Sequence, residues 1–215
     1  MFKTILAAAV MAGGVILGGM AQAAPITFDF YRISNNSTVD ASSQLQVIAN
    51  ETTGGAILEF RVLAGAQSGA TIKEIYFDAA GVIVPPLEII EQVGVSYVVG
   101  SASPGELPGA NNATPDFETT AMLLADQAGN NATGIQINDL LKLKLNFAGG
   151  VDWAGFIAAA LDGSFRIGLH VGSLNNGASD GFVSNPPPIP LPAGGLLLLT
   201  ALAGAGVVAR RRKTA

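Results

Sequence analysis

The sequence predicts an all-β fold, an antiparallel β-sandwich of about eight or nine strands with one short helix. Two observations predict it. Apolar residues alternate with polar ones in many short runs between residues 26 and 172, which is typical of strands with one buried and one solvated face. Clusters such as NNST, ANETTGG and SLNNGASDG separate these runs, and their Gly, Asn, Asp and Ser residues favour turns.

The individual strands follow from this alternation. In LLKLKLNF, for example, the leucines at 141, 143 and 145 share one face and the two lysines share the other. The long segment 101–133 is rich in Pro, Gly and Asn and is predicted to be a loop excursion, in which Leu123 and Leu124 form one edge strand. The remaining strands are predicted at 26–31, 44–49, 56–63, 72–78, 95–100 and 165–171.

One stretch, DWAGFIAAALDG at 152–163, has helical rather than strand periodicity. Its large apolar residues recur at helical spacing, Asp152 is a suitable N-cap, and Gly163 is a suitable residue just past the end. Trp153 is expected on the inner face of this helix, where core packing is a more common role than sugar stacking.

The N-terminal segment, residues 1–23, has the layout of a secretory signal peptide. Lys3 precedes an apolar run from Ile5 to Leu17, and a small-x-small pattern follows it. The mature chain is therefore predicted to begin near Ala24, after export by Sec-type machinery and cleavage by signal peptidase. The residues of this cleavage site are Ala21, Ala23 and Ala24.

The C-terminal segment, residues 189–215, contains a second apolar run. Ile189 to Ala209 carries no charge, and as a helix it would span about 31 Å, close to the thickness of a bilayer core. A basic cluster follows at once, and such clusters stay on the cytoplasmic side. We expect a transmembrane helix with the body (24–183) outside and a Pro-rich spacer (184–188) between them. The basic stop-transfer tail consists of Arg210, Arg211, Arg212 and Lys213.

The order of spacer, motif, apolar span and arginine cluster resembles the PEP-CTERM class of sorting signals. It is similar in particular to the variant whose motif reads Val-Pro-Leu-Pro-Ala, with isoleucine here in the place of valine. IKEIYFDAAG, SASPGELPGANN and the segment 162–187 also resemble pieces of the β-rich ectodomains of such proteins. The sorting motif is Ile189, Pro190, Leu191, Pro192 and Ala193.

The resemblance implies a biological setting. Proteins of this class are exported by bacteria that make exopolysaccharide, and a membrane-embedded exosortase is thought to cut their tails near the motif. The expected location is therefore the inner membrane as an intermediate and then the cell surface or extracellular matrix. The expected partners are the export machinery, the exosortase-like protease, the inner membrane and, as a candidate, exopolysaccharide.

Charge and composition exclude several classes of function. All 16 acidic residues lie between Asp29 and Asp180, whereas five of the 11 basic residues lie in the terminal segments. An acidic body does not favour nucleic acid, which requires a basic surface. The chain has no cysteine, so disulfides, thiolate metal sites and cysteine nucleophiles are excluded.

Few residues suggest chemistry in the body. His170 is the only histidine, and alternation places it beside Arg166 on the outer face of its strand, which favours a satisfied or solvated side chain over a catalytic one. Asp78, Asp116 and Glu118 are the candidate calcium ligands, but they lack the spacing of a calcium loop. We therefore predict no catalytic, metal or cofactor site.

The sequence leaves three functions open. The first is a non-enzymatic exported protein that docks in the membrane through its tail and is then processed. The second is a carbohydrate-binding or carbohydrate-active exported module, since a sandwich could carry paired carboxylates. The third is a single-span periplasmic protein that is never cut.

Overall fold

The computed structural model describes residues 23–66, 69–100, 105–125 and 134–188. Within them the chain forms two antiparallel sheets and one α-helix, in agreement with the predicted β-sandwich. The described residues contain eleven strands, more than the eight or nine that the alternation predicts. They also contain three short 3-10 turns, at Ser42–Gln44, Ala110–Asn112 and Asn175–Gly177.

The first sheet has five strands in the order β1-β3-β4-β9-β6. Their inward residues form the floor of the core, and the charged residues of β4, β9 and β6 pair on the outer face, where Lys142 lies 2.7 Å from Glu91. The strands are β1 (Ile26–Phe28), β3 (Leu45–Thr52), β4 (Gly55–Val62), β6 (Ile83–Val93) and β9 (Leu140–Phe147).

The second sheet has six strands in the order β2-β11-β10-β5-β8-β7. Its two central strands, β10 and β5, are in register from Arg166 opposite Asp78 to Gly172 opposite Thr71, with one irregularity after His170. The strands are β2 (Phe30–Arg32), β5 (Thr71–Asp78), β7 (Tyr97–Val99), β8 (Ala121–Ala125), β10 (Arg166–Gly172) and β11 (Asp180–Ser184).

Helix α1 (Trp153–Asp162) forms where the sequence predicts it, and its buried residues belong to the main core. The side chain of Asp152 accepts a hydrogen bond from the amide of Gly155 at 2.8 Å, and Gly163 ends the helix at φ +84°. Trp153 and Phe156 are buried, and their rings stack at 5.4 Å. Trp153 therefore packs in the core rather than presenting its ring to a sugar.

Two details of the predicted strands need correction. The run 26–31 is not one strand, because the chain passes from the first sheet to the second at Asp29, between β1 and β2. Leu123 and Leu124 do lie in a strand, but β8 pairs with both β5 and β7 and so is not at the edge. The edge strand next to β8 is β7, which has three residues, and the other edge strand of this sheet is β2.

Candidate functional site

The outer face of the second sheet carries the polar residues that the sequence singled out. As predicted, Phe165, Ile167, Leu169 and Val171 are buried in the main core. Arg166 and His170 lie on the opposite face of β10, Arg166 at its first residue and His170 four residues later. The surroundings of these two side chains differ, because the segment 105–120 covers only part of this face.

The segment 105–120 packs on the outer face as a second layer. Leu107 and Phe117 are buried there together with Tyr76 and Val183, in a cluster separate from the main core. Close packing requires glycine beneath them, since a Cβ at Gly168 would lie 2.7 Å from Leu107. The segment 105–120, which is the part of the predicted loop excursion described here before β8, is therefore an ordered cover over part of β10 and β11, above Gly168 and Gly181.

Arg166 fastens this cover to the sheet. Its guanidinium group donates to the carboxylate of Asp78 through Nε, at 3.1 Å, and through one terminal nitrogen. It also donates to the main-chain oxygens of Pro115, at 2.6 Å, and Asp116. The group lies over the ring of Phe117, 5.3 Å from its centroid, and Arg166 is only 7% exposed. A buried arginine needs such partners for its donors.

The three candidate calcium ligands do not come together around a cation. The carboxylate of Asp78 is occupied by Arg166 and by the amide of Glu118, at 3.3 Å. Asp116 contributes its main-chain oxygen to Arg166, and its side chain is exposed. In the described part of the chain, no three His, Cys, Asp or Glu side chains are grouped as metal ligands.

His170 lies beyond the cover, in a small polar network. Its Nδ1 is 2.7 Å from a carboxylate oxygen of Glu74, which also accepts a hydrogen bond from the hydroxyl of Tyr76 at 2.6 Å. The hydrogen bond with His170 is the main reason that the pKa of Glu74 lies below its ordinary value. Burial, together with the neighbouring Glu74 carboxylate, raises the pKa of Tyr76. Glu74 is thus an ionised acceptor for two donors, and His170 is a satisfied strand histidine.

A cleft of 440 Å³ opens at the end of the sandwich where the chain leaves β11. The C-terminal end of α1 forms one wall, and the segment around Thr114 and Pro115 forms another. Tyr31 and Arg166 also line the cleft. It therefore offers an aromatic ring and side-chain amides, groups that bind neutral polar ligands. The amides belong to Asn112 and Asn185.

The last described residues are fixed to the sandwich beside this cleft. Ser184 is buried, and its hydroxyl accepts a hydrogen bond from the amide of Ile167 at 3.0 Å. The amide of Asn185 donates to the main-chain oxygen of Asp29 at 2.8 Å. Pro187 is buried and Pro188 is exposed. We refer to Asn185–Pro188 as the strap, and to the strap with Asp29 and Asp162 as the exit end.

The residues predicted to direct export and sorting fall mostly outside the described residues. This applies to Ala21 of the signal-peptide cleavage site, to the motif Ile189–Ala193 and to the basic tail at 210–213. Ala23 is half-buried and packs against the core, whereas Ala24 is exposed. Within the ranges that the structure describes, no helix has the length and apolar character needed to cross a membrane.

Comparison with known proteins gives no relative: no family model matches the chain, and neither a curated protein nor a solved structure is similar to it.

Proposed function

We propose that this protein is a non-enzymatic exported protein of the cell surface or extracellular matrix. It docks in the inner membrane through its C-terminal segment, with the sandwich outside and the basic tail in the cytoplasm. An exosortase-like membrane protease then cuts near the motif and releases the body. The observation that carries this proposal is the order of motif, apolar span and basic cluster at residues 189–213.

The layout of the body is compatible with release. Each of the two described sheets is built from residues that precede the motif, and the last described strand, β11, ends at Ser184. Cutting the chain at 189–193 would therefore remove no strand of these two sheets and would leave the described core whole. Prolines such as those at 190 and 192 favour an extended backbone over a helix, and an extended backbone is the conformation that a protease can bind.

Mass spectrometry of the C-terminus of the protein taken from its native cells tests the proposal. We expect a mature form that ends near the motif. A mature form that still ends at Ala215 would mean that the protein is permanently anchored, and would refute processing. Replacing Ile189 with valine restores the motif of the resembling class and should leave processing unchanged. Replacing Pro190 and Pro192 with alanine should impair it.

The basic tail has its own test with a matched control. Replacing Arg210–Lys213 with four glutamines removes the charge that holds the tail in the cytoplasm, so membrane orientation and processing should both fail. Replacing the same residues with four lysines keeps the charge and should preserve both. Equal surface delivery of the two variants would show that the cluster has no part in sorting.

A carbohydrate-binding module is the second candidate, favoured by the ring and amides that line the cleft. Binding of the released body to a glycan array, with Tyr31→Ala as the variant, tests it. Sugar binding that the substitution weakens at least about tenfold would support this function, as expected from the loss of a stacking ring. Binding that is absent, or unaffected by the substitution, would refute it.

A further inference from the structure

The strap leaves very little free chain between the sandwich and the sorting motif. Pro187 is buried, and Ile189, where the apolar run begins, is only two residues further on. An extended chain spans at most about 3.6 Å per residue. The length of the chain therefore limits the distance from Pro187 to Ile189 to about 7 Å, and the distance from Pro187 to Ala193 to about 22 Å.

The strap also has little freedom to swing. Its residues 186–188 are all proline, and proline-rich chain is extended and semi-rigid. Its first residue is held by the hydrogen bond from the amide of Asn185 to Asp29. The same end of the sandwich must therefore face whatever engages residues 189–193. An active site that closes around this segment meets the sandwich as well as the peptide.

The charge of the exit end indicates the kind of surface that it can meet. Asp29 and Asp162 are exposed and both lie near Asn185. Asp29 accepts the hydrogen bond of the Asn185 amide through its main-chain oxygen, and Asp162 lines the cleft together with Asn185. Arg166, the cation that lines the neighbouring cleft, is already paired with Asp78. Two exposed carboxylates are repelled by anionic lipid headgroups and attracted by basic side chains.

We propose that the exit end is a contact surface for the membrane enzyme that processes the tail, and that this enzyme presents basic groups to Asp29 and Asp162. The inference rests on the proposed function. It adds that the enzyme recognises the folded body as well as the motif. The rate of processing then depends on the charge of the exit end. It also depends on the motif following the strap directly, with no flexible spacer inserted between Pro188 and Ile189.

The first test is a pulse-chase measurement of tail removal in native cells. Asp29→Lys combined with Asp162→Lys should slow processing about tenfold, the scale expected for charges that steer association. The effect should shrink in isolated membranes as salt is raised, because exposed charges are screened.

Asp40→Lys is the matched control for position 162. Both aspartates are exposed, and each accepts a hydrogen bond from the amide two residues later, at 2.8 Å for Ser42 and 2.9 Å for Ser164. Asp40 precedes β3 at the opposite end of the sandwich. At that end, Val62 of the first sheet pairs with Ile137, and Ile72 of the second sheet pairs with Ile135. Its substitution should leave the rate unchanged.

A spacer gives a second test that does not depend on substitutions in the body. Inserting about eight Gly and Ser residues after Pro188 frees the motif from the sandwich. Processing of this chain should be slower and should no longer respond to the charge reversal. Protease resistance of each full-length variant checks that the body has folded.

Each outcome has one meaning. If the wild-type tail is never removed, the proposed function fails, and the inference fails with it. If the tail is removed and the double variant is processed as fast as Asp40→Lys, or faster, only the inference is overturned. A spacer chain that remains sensitive to the charge reversal overturns it too.

Discussion

Replacing Arg166 with methionine should destabilise the body and free the cover that lies on the second sheet. The substitution removes the hydrogen bonds to Asp78 and to the main-chain oxygens of Pro115 and Asp116. It also leaves the Asp78 carboxylate, 15% exposed, without its cation. Breaking one side of a buried pair typically costs 3–5 kcal/mol. Because Asp78 keeps the amide of Glu118, we expect about 3 kcal/mol in the free energy of unfolding.

Urea unfolding of the purified protein measures this cost. With a slope of about 2 kcal/mol per molar urea, the midpoint should fall by about 1.5 M. Limited proteolysis should cut within 105–120 before the rest of the body unfolds. Arg61→Met is the matched control, since the Arg61 side chain is 45% exposed and pairs with Glu59 at 3.2 Å. Exposed pairs contribute less than about 1 kcal/mol. Equal midpoints for the two variants would refute a fastening role for Arg166.

Three further substitutions test the core, the polar network and the helix. Phe156 is fully buried against three other rings. Phe156→Ala should therefore lower the free energy of unfolding by about 3–5 kcal/mol, as measured by thermal unfolding. A loss under about 1 kcal/mol would contradict the central position of this ring in the core. The pKa of Glu74 is lowered in the folded state, so the carboxylate stabilises the fold above its ordinary pKa of 4.5 and loses this effect as pH falls through the lower folded value. In urea unfolding, the wild-type protein should be more stable than Glu74→Gln by a margin that shrinks on acidification. A margin that grows on acidification would contradict the direction of the pKa shift. Asp152→Ala removes the cap bond to Gly155 and should cost about 1 kcal/mol, most of which Asp152→Ser should retain; equal melting temperatures for the two variants would show that the cap contributes nothing.

Sequence periodicity predicts the strands that have one dry and one wet face. β3, β4 and β9 alternate along most of their length, because their outer faces meet solvent or charged neighbours. The helix is equally clear, since its caps and its apolar spacing agree. In these elements the local sequence pattern and the tertiary environment have the same periodicity, so the sequence alone is sufficient to predict the element.

Periodicity does not reveal β6 and β11, for opposite reasons. β6 contains Pro85 and Pro86, has two shifts of register against β9, and is exposed along most of its length, so no alternation is required. β11 is buried at all five positions, because the cover hides its outer face. Neither strand can be predicted from the sequence alone, because the pattern of β6 depends on its pairing with β9 and that of β11 depends on the cover.

The polar contacts of the candidate site depend on register, which a single sequence does not contain. Alternation places His170 and Arg166 on one face of β10. Only the pairing of β10 with β5 brings His170 opposite Glu74 and Arg166 opposite Asp78. The hydrogen bond that holds the strap cannot be predicted from the sequence either. The Asn185 amide donates it to the main-chain oxygen of Asp29, and a main-chain contact leaves no signal in the residue types.

The pairing of β2 with β11 has a consequence for how the molecule assembles. β2 is among the first segments of the body to be synthesised, yet its hydrogen-bond partner is β11, the last of the described strands. Contacts between such distant parts of a chain form slowly, because a long loop must close first. The edge strand β2 therefore cannot pair until the whole body has been synthesised. A chain truncated before residue 180 would lack β11 and would leave Phe30–Arg32 without its hydrogen-bond partner.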